Sequence, residues 1–383
     1  MSVTAAKGFT AAGIAAGIKE NGNPDLALVV NNGPRLAAAG VFTANRVKAA
    51  PVLWSEQVLK GGLVSAVVLN SGGANACTGP LGFQDTHTTA EKAAEVLGHN
   101  AGEVAVASTG LIGIRLPMDR LLPGVERAAG ELSEHGGEKA ALAIKTTDTV
   151  HKTAVAGGEG WTVGGMAKGA GMLAPSLATM LVVLTTDADV DSPGLDAALR
   201  EATRTTFDRI DSDGCLSTND TVLLLASGAS GITPGEAEFT EAVRAVCADL
   251  ARQLIGDAEG ASKDIRIEVV NAASEDDAVE VGRSIARNNL LKCAVHGEDP
   301  NWGRVLSAIG TTSAVFEPDR LNVAINGVWV CKGGSVGEDR ELVDMRYREV
   351  VITADLAAGD ASAVVWTNDL TADYVHENSA YSS

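Results

Sequence analysis

A threonine that follows a glycine-rich run is the residue of this chain best suited to nucleophilic chemistry. The run begins at Lys168-Gly169-Ala170-Gly171-Met172 and leads to Ala178 and Thr179, after which an apolar stretch starts at Met180. Cleavage between Ala178 and Thr179 would place a free α-amine beside the Thr179 hydroxyl, and that amine can serve as the base of the nucleophile. An α-amine has a pKa of about 7.7 to 8, so a useful fraction is neutral near pH 7. The alternative is an ordinary β-branched residue that opens a buried strand.

A turn after a short strand is a candidate for stabilising the oxyanion of acyl transfer. Residues 104–107 predict a strand, and Ser108-Thr109-Gly110 follows it directly. The N–H of Gly110 and the hydroxyl or N–H of Thr109 could point at one spot beyond the strand end, as preorganised donors. An ordinary turn rich in Ser, Thr and Gly would have the same composition.

Three polar stretches are candidates for binding a substrate. Thr146, Thr147 and Asp148 belong to a dense hydroxyl cluster that could bind a polar head group, or could simply end a helix in a turn. Glu259 stands between small residues after a predicted helix, and its carboxylate could accept an ammonium group. The alternative for Glu259 is a solvated acidic loop. Residues 70–79 could form a glycine-rich binding loop.

Metal and nucleotide chemistry is not indicated. His296, Glu298 and Asp299 are close in sequence, but adjacent carboxylates on an irregular loop more often make turn hydrogen bonds than bind metal. The patterns G-x-x-x-x-G-K-[ST], G-x-S-x-G and H-E-x-x-H do not occur in the sequence. We therefore predict no metal and no bound cofactor.

The composition limits the classes of protein to which this chain can belong. The chain has 383 residues, of which 45% are hydrophobic and 21% charged, as expected for a globular protein with a large core. A net charge of −19 argues against nucleic acid and anionic membranes as partners. The five cysteines form no C-x-x-C pair, and no apolar run reaches the ~18 residues of a membrane span. We therefore expect a cytoplasmic protein with reduced thiols.

Short apolar runs and helical periodicity predict the elements that must position these residues. Several apolar runs contain no internal polar residue, which indicates strands covered on both faces. The loose alternation of strands and helices predicts an α/β fold of layered sheets and helices. Ser192-Pro193 is predicted as the N-cap and first-turn proline of one helix. The predicted strands are 26–30, 64–69, 104–107, 181–184, 222–225, 265–270, 323–325, 350–353 and 363–366, and the predicted helices are 84–97, 192–204, 239–254 and 276–286.

Several of these stretches together resemble the ornithine acetyltransferase family, also called the bifunctional glutamate N-acetyltransferases of arginine biosynthesis. The resemblance spans nearly the whole chain in the order of the family, and the Lys-Gly-x-Gly-Met block that leads to Ala-Thr-Met-Leu is its most specific part. The matching stretches are 108–110, 146–149, 168–181, 217–221, 256–263, 296–304 and 378–383.

The resemblance implies both a fold and an activity. Members have a layered α/β fold similar to other self-cleaving N-terminal-nucleophile enzymes, and they cut themselves at the Ala-Thr bond. Here the cut would give an α chain of residues 1–178 and a β chain of residues 179–383, commonly assembled as α2β2. Thr179 would take the acetyl group from N2-acetylornithine, and glutamate would then attack the acetyl-enzyme to give N-acetylglutamate. Some members also accept acetyl-CoA as donor.

The resemblance also assigns roles to single residues. Thr109 and Gly110 match the oxyanion stabilisers. Lys168 can pair with an α-carboxylate, and Glu259 suits the cationic end of ornithine. The tail from residue 378, which alone looks like a frayed polar end, becomes part of the site. The matching substrate-binding positions are Thr146 or its neighbour Thr147, Lys168, Thr179, Glu259, Asn378 and Ser383.

The sequence departs from the family pattern at two places, and two alternative functions remain open. Ser383 stands where the family often has threonine, and Cys215-Leu216 stands where an acidic residue followed by threonine is frequent. One alternative function is a hydrolase, an aminopeptidase or amidohydrolase that uses Thr179 with water as acceptor. The other is a small-molecule binding protein whose chain stays intact.

Overall fold

The computed structural model describes residues 2–174 and 180–380, which form an α/β fold as predicted. The chain divides into two units. The first unit comprises Met1–Asp208 and Cys215–Asp257, and the second comprises Arg209–Gly214 and Ala258–Ser382.

The first unit contains two sheets and a set of helices. One sheet has the strand order β1-β2-β4-β5, and the other has the order β3-β9-β8-β7-β6. The strands are β1 (Phe9–Ile14), β2 (Leu26–Asn31), β3 (Ala37–Phe42), β4 (Ala66–Ser71), β5 (Val104–Thr109), β6 (Lys152–Gly158), β7 (Trp161–Lys168), β8 (Leu181–Thr186) and β9 (Thr221–Ala226). The helices are α1 (Ala50–Leu59), α2 (Gly79–Leu97), α3 (Met118–Gly130), α4 (Gly137–Ala143), α5 (Ser192–Thr205) and α6 (Glu236–Gly256).

The sheets of the first unit are covered on both faces. Along β2, Ala27 and Val29 point into a core shared with the second sheet, whereas Leu26, Leu28 and Val30 pack with α2 and α3. This alternation follows from the two-residue period of a strand. The second sheet packs its outer face on α6, where a side chain at Gly165 would collide with Val246 and Leu250. The prediction of doubly buried strands is thus confirmed for β2, β4, β5, β8 and β9.

Strand direction decides where polar residues collect in the first unit. Strands β4 and β5 are parallel, so Ser71 and Thr109 lie side by side where both strands end. In the second sheet β7 is antiparallel to β8, and β8 is parallel to β9. The end of β7 at Lys168 therefore lies beside the starts of β8 and β9 at Leu181 and Thr221.

The second unit is a single mixed sheet covered mainly on one face. Its strand order is β13-β12-β11-β14-β10-β15, and its apolar core lies between the sheet and the helices α7 to α9. Along β10 and β14, buried residues alternate with more exposed ones. The strands are β10 (Asp264–Ala272), β11 (Asn322–Ile325), β12 (Val328–Lys332), β13 (Ser335–Val336), β14 (Glu349–Asp355) and β15 (Ala361–Asn368), and the helices are α7 (Glu275–Ala286), α8 (Asn289–His296), α9 (Trp302–Ile309) and α10 (Ala372–Ala380).

The predicted elements are all present, with two corrections. The N-cap of α5 is Asp191, not Ser192, because the Asp191 carboxylate accepts the N–H of Gly194 at 2.9 Å. The chain is helical up to Ala380, so the interpretation of residues 378–380 as a frayed end is wrong. Strands β1, β3, β6, β7, β12 and β13 and helices α1, α3, α4, α8, α9 and α10 were not among the predicted elements.

Two bulk predictions can be compared with the structure. None of the five cysteines, all of which lie in the described residues, forms a disulfide. In residues 2–174 and 180–380, no helix combines the length and the apolar character needed to cross a membrane.

Candidate active site

The turn that follows β5 is supported by the glycine-rich loop after β4. The carbonyl oxygen of Thr109 accepts the N–H groups of Gly72 and Gly73 at 2.9 and 3.0 Å. Gly110 has a φ of +129°, and a Cβ there would lie only 2.5 Å from the Gly73 nitrogen. The position therefore requires glycine. The loop that the sequence suggested as a binding loop serves, at these residues, to hold the Thr109–Gly110 turn.

The motif at residues 217–221 ties the start of β9 to the same turn. The side-chain amide of Asn219 donates to the carbonyl oxygens of Ala74 and Ser108 at 2.6 and 2.8 Å. The Ser108 hydroxyl donates in turn to Asn70 Oδ1 at 2.6 Å. These buried bonds join the two sheets at the edge where β5 ends.

Lys168 brings a buried positive charge to the Thr109 side chain. It ends β7, is 2% exposed, and its Nζ donates to Thr109 Oγ1 at 3.3 Å. An ammonium group can only donate, so the Thr109 oxygen is the acceptor and the hydroxyl hydrogen can point elsewhere. The structure thus joins two predicted site residues that are 59 positions apart in sequence.

Asp148 is the counter-ion that makes this buried positive charge tolerable. Its Oδ1 accepts the Lys152 ammonium at 2.7 Å and the N–H of Gly169 at 2.6 Å. Burial alone would raise the pKa of Asp148, but Lys168, Lys152 and the Gly169 N–H together hold that pKa well below its usual range. Asp148 is therefore a permanent carboxylate near neutral pH.

The same carboxylate positions the hydroxyl-rich loop after α4. Asp148 Oδ2 accepts the N–H of Thr146 at 3.0 Å, which fixes the loop beside the end of β7. Lys152 secures the other side, because its Nζ also donates to Asp257 at 2.6 Å. Thr146 and Thr147 are half-buried in this loop. The structure thus brings them to the Asp148 network that also includes Lys168.

Lys19 is a charged residue of this region that the sequence did not single out. Its ammonium donates to the Lys145 carbonyl at 2.6 Å, and the buried Asp25 carboxylate accepts the N–H groups of residues 16–19. Burial lowers the pKa of Lys19 to about 8, Asp25 opposes that effect, and Lys168 adds to it. No local motif surrounds Lys19, so only the three-dimensional structure reveals its position.

Two of the predicted substrate-binding residues belong to the second unit. Glu259 is half-buried in the loop between α6 and β10. The carbonyl of Gly260 accepts the Thr371 hydroxyl at 2.6 Å, and a Cβ at Gly260 would lie 2.2 Å from the Tyr374 nitrogen. The Glu259 loop is thereby pressed against the start of α10. The same helix carries Asn378, which is exposed and donates to the Tyr374 carbonyl.

The acidic stretch after α8 makes structural ion pairs. Glu298 accepts the Lys263 ammonium at 2.9 Å, and Asp299 accepts Arg340 at 2.6 Å. His296 uses the same ring nitrogen, Nδ1, to face both Asp369 and Ser262, at 3.0 and 3.2 Å. A catalytic triad requires each ring nitrogen to serve a different partner, so this trio is not one. Within the described part of the chain, no group of three or more His, Cys, Asp or Glu side chains could hold a metal ion.

Three predicted residues lie outside the described part of the chain. They are Ala178 and Thr179, at the expected cleavage bond, and the C-terminal Ser383. The flanking residue Met180 is described and buried. Around the Thr109–Gly110 turn, the first unit therefore offers a buried ammonium group, a hydroxyl whose oxygen accepts that ammonium, and a backbone turn suited to an oxyanion.

Comparisons with known proteins agree with each other. A family model described as the ArgJ family matches residues 10–383. The arginine biosynthesis bifunctional protein ArgJ of Streptomyces avermitilis is 85% identical over 383 residues, and the alignment covers both chains completely. The protein of the same name from Thermobifida fusca is 66% identical, again over the full length of both chains.

A solved structure is also similar. It is the crystal structure of an ornithine acetyltransferase from Mycobacterium tuberculosis in complex with ornithine. That chain is 60% identical to this one, the match covers 47% of this chain and 96% of that chain, and the TM-score is 0.45.

Proposed function

The chain belongs to the ArgJ family, and from that membership we propose that it moves the acetyl group of N2-acetylornithine to glutamate. The products are ornithine and N-acetylglutamate, so the reaction is an acetyl transfer within arginine biosynthesis. The observation that supports this most directly is the buried Lys168 ammonium, 3.3 Å from the Thr109 hydroxyl oxygen. A cation suited to an α-carboxylate lies there beside a hydroxyl suited to an oxyanion.

Thr179 is the proposed nucleophile. Its Oγ attacks the acetyl carbonyl carbon, and its proton passes to the Thr179 α-amine. Collapse of the tetrahedral intermediate breaks the C–N bond, and ornithine leaves with that proton on its nitrogen. The amine of glutamate then attacks the acetyl ester, which releases N-acetylglutamate and restores the Thr179 hydroxyl. Each substrate thus reacts in turn with the same enzyme group.

The oxyanion of both steps is stabilised by Gly110 and Thr109. The Thr109 oxygen already accepts a hydrogen bond from Lys168, so its own hydrogen is free to be donated to the oxyanion. The Gly110 N–H is the second donor in this proposal. Loss of one such preorganised donor typically slows acyl transfer by about 10² to 10³-fold.

Different residues are proposed to bind the negative and the positive groups of the substrates. Lys168 binds the α-carboxylate that acetylornithine and glutamate share, and Thr146 or Thr147 adds hydroxyl contacts. Glu259 receives the side-chain ammonium of ornithine, and Asn378 and Ser383 complete the site. The support for these roles is the chemistry of each group together with the matching family positions.

Maturation is proposed to occur by cleavage between Ala178 and Thr179, giving an α chain 1–178 and a β chain 179–383. Lys168 pairs with Leu181 in the ladder between β7 and β8, so both products would remain joined within one sheet. The α2β2 assembly and the cytoplasmic location are proposed from the family resemblance. No metal or redox cofactor is needed for acyl transfer, and acetyl-CoA is a possible second donor.

The decisive assay supplies purified protein with glutamate and either acetylornithine or acetyl-CoA, and follows N-acetylglutamate by mass spectrometry. We expect N-acetylglutamate and ornithine in equal amounts from acetylornithine. Release of free acetate at the same rate without glutamate would instead establish the hydrolase alternative. Activity with acetyl-CoA alone decides whether that donor is used.

Thr179→Ala tests the nucleophile. The variant should run as one uncut chain on a denaturing gel and should form no N-acetylglutamate. Thr153→Ala is the matched control, because Thr153 lies on β6 and bonds Gln253 through its backbone N–H and carbonyl. A processed or active Thr179→Ala protein would exclude Thr179 as the nucleophile. An intact wild-type chain that binds acetylornithine without turnover would favour the binding-protein alternative.

A further inference from the structure

Asp220, immediately before β9, bonds the residue that follows the proposed nucleophile. Its Oδ1 accepts the N–H of Met180 at 3.2 Å, and the N–H of Thr221 donates to the Met180 carbonyl at 3.1 Å. Both backbone polar groups of Met180 are therefore engaged by two consecutive residues. Because Met180 is covalently bonded to Thr179, fixing the Met180 N–H also fixes the peptide group between them.

The Asp220 side chain is completely buried, so its position is set by the groups packed around it. Burial raises the pKa of Asp220 well above its usual range. The Met180 N–H, the hydroxyls of Ser217 and Thr43, and the positive charge of Lys168 on β7 favour the charged form but do not offset burial.

We propose that Asp220 is a positioning residue for Thr179, and that it acts as a hydrogen-bond acceptor for the Met180 N–H. The proposal rests on the use of Thr179 as nucleophile in the function proposed above. A misplacement of a reacting group by about 1 Å can cost 10²-fold in rate, so a fixed Met180 peptide has catalytic value.

Three substitutions test the acceptor. Asp220→Asn keeps an acceptor oxygen in a side chain of the same shape, whereas Asp220→Ala and Asp220→Leu remove it, and Leu also fills the space. Each variant is examined for cleavage on a denaturing gel, for kcat and KM of acetyl transfer, and for its thermal unfolding midpoint.

We expect Asp220→Asn to cleave and to retain kcat within about tenfold, since its amide oxygen can still accept the Met180 N–H. Asp220→Ala and Asp220→Leu should cleave slowly and lose about 10²-fold in kcat, with a much smaller change in KM. The pH profile of kcat/KM should keep the same limbs in Asp220→Asn as in the wild type.

Two results would overturn the proposal. One is an Asp220→Asn enzyme as impaired as Asp220→Ala, or one that has lost a limb of the pH profile, because either would mean that Asp220 works through its charge or proton. The other is full kcat in a folded Asp220→Ala or Asp220→Leu protein. If neither of these folds, the pH profile of Asp220→Asn decides alone. Wild-type protein that makes no N-acetylglutamate would refute the proposed function instead, while the gel would still report cleavage.

Discussion

Two buried carboxyl groups, one in each unit, respond to burial in opposite ways. In the first unit, Asp148 is surrounded by Lys152, Lys168 and the Gly169 N–H, and its pKa is held below its usual range despite burial. In the second unit, the equally buried Asp211 accepts Arg287 at 2.7 Å, but its other oxygen has no hydrogen-bond partner among the described residues. Burial raises the pKa of Asp211 to about 6, and Arg287 only partly opposes this. The pKa of a buried carboxyl group thus depends on how far nearby positive charges and hydrogen-bond donors compensate for the loss of water around it.

The difference in layering explains where the first unit gathers its charges. Its sheets are covered on both faces, so a charged side chain can enter only where strands end. The sheet of the second unit has alternating buried and exposed residues, and polar groups can lie along its length. The strand ends bring together Lys168, Asp148 and the Thr109–Gly110 turn. The charges of this region are therefore held in fixed positions. That environment suits a reaction that passes through an oxyanion.

The largest effect should come from Gly110→Ala. Its Cβ would collide with the Gly73 backbone at 2.5 Å, so we expect a loss of about 4 kcal/mol or more in the free energy of unfolding. Gly214→Ala in the second unit is the matched control. Gly214 also has a positive φ, of +70°, but the nearest atom to its Cβ would be Arg287 Cγ at 3.9 Å, so only about 1 kcal/mol should be lost. Urea unfolding measures both, and equal losses would contradict the steric argument.

The next largest effect is the loss of unfolding free energy expected when either of two buried lysines is replaced. Lys152→Met would leave the Asp148 and Asp257 carboxylates, 0% and 7% exposed, without their shared counter-ion, at a cost of about 3–5 kcal/mol. Lys263→Met leaves Glu298, which is 45% exposed and can be solvated, so a cost of about 1–2 kcal/mol is expected. Denaturant unfolding at pH 7 tests this order. A smaller loss for Lys152→Met would mean that the Asp148 network is not held by charge compensation.

The pH dependence of stability should have opposite signs for the two aspartates. The pKa of Asp148 is lowered by folding, so its contribution is present above about pH 4 and is lost as the pH falls further. The pKa of Asp211 is raised to about 6, so stability should fall as the pH rises from about 4 to 6. Asp211→Asn should reduce that fall, and Asp148→Asn should preserve it. Urea unfolding from about pH 2 to pH 7 covers both ranges, and a fall above pH 4 that Asp211→Asn leaves unchanged would contradict the contrast.

The smallest effect concerns Lys19. Folding lowers its pKa from 10.5 to about 8, mainly through burial, so the unfolded chain binds more protons between these values. Stability should therefore rise slightly with pH from about 8 to 10, and Lys19→Met should flatten this rise. Thermal midpoints of the two proteins at pH 7.5 and 9.5 measure the change. An unchanged slope in the variant would show that Lys19 is not the group responsible.

The elements that the sequence predicted are those with strong local signals. Apolar runs such as residues 26–30 and 222–225 became strands, because such runs bury both faces wherever they pair. Strands β3, β6 and β7 were not predicted, because they are rich in alanine and glycine and have weak intrinsic strand preference. Their pairing partners and the layers around them decide their structure. Helix α3 contains Pro123, which interrupts the usual helical signal.

The residue types and their order along the chain specify the chemistry available to this protein. The Lys168–Thr179 block and the Ser108–Gly110 turn have residue types suited to acyl transfer, and their order along the chain predicted the family that the comparisons show. Which of these groups meet depends on the fold. The fold joins Lys168 to Thr109 and Asp220 to Met180, and it lowers the pKa of Asp148 and raises that of Asp220. Sheet neighbours and the burial of a charge depend on residues far apart in sequence, so no local pattern could specify them.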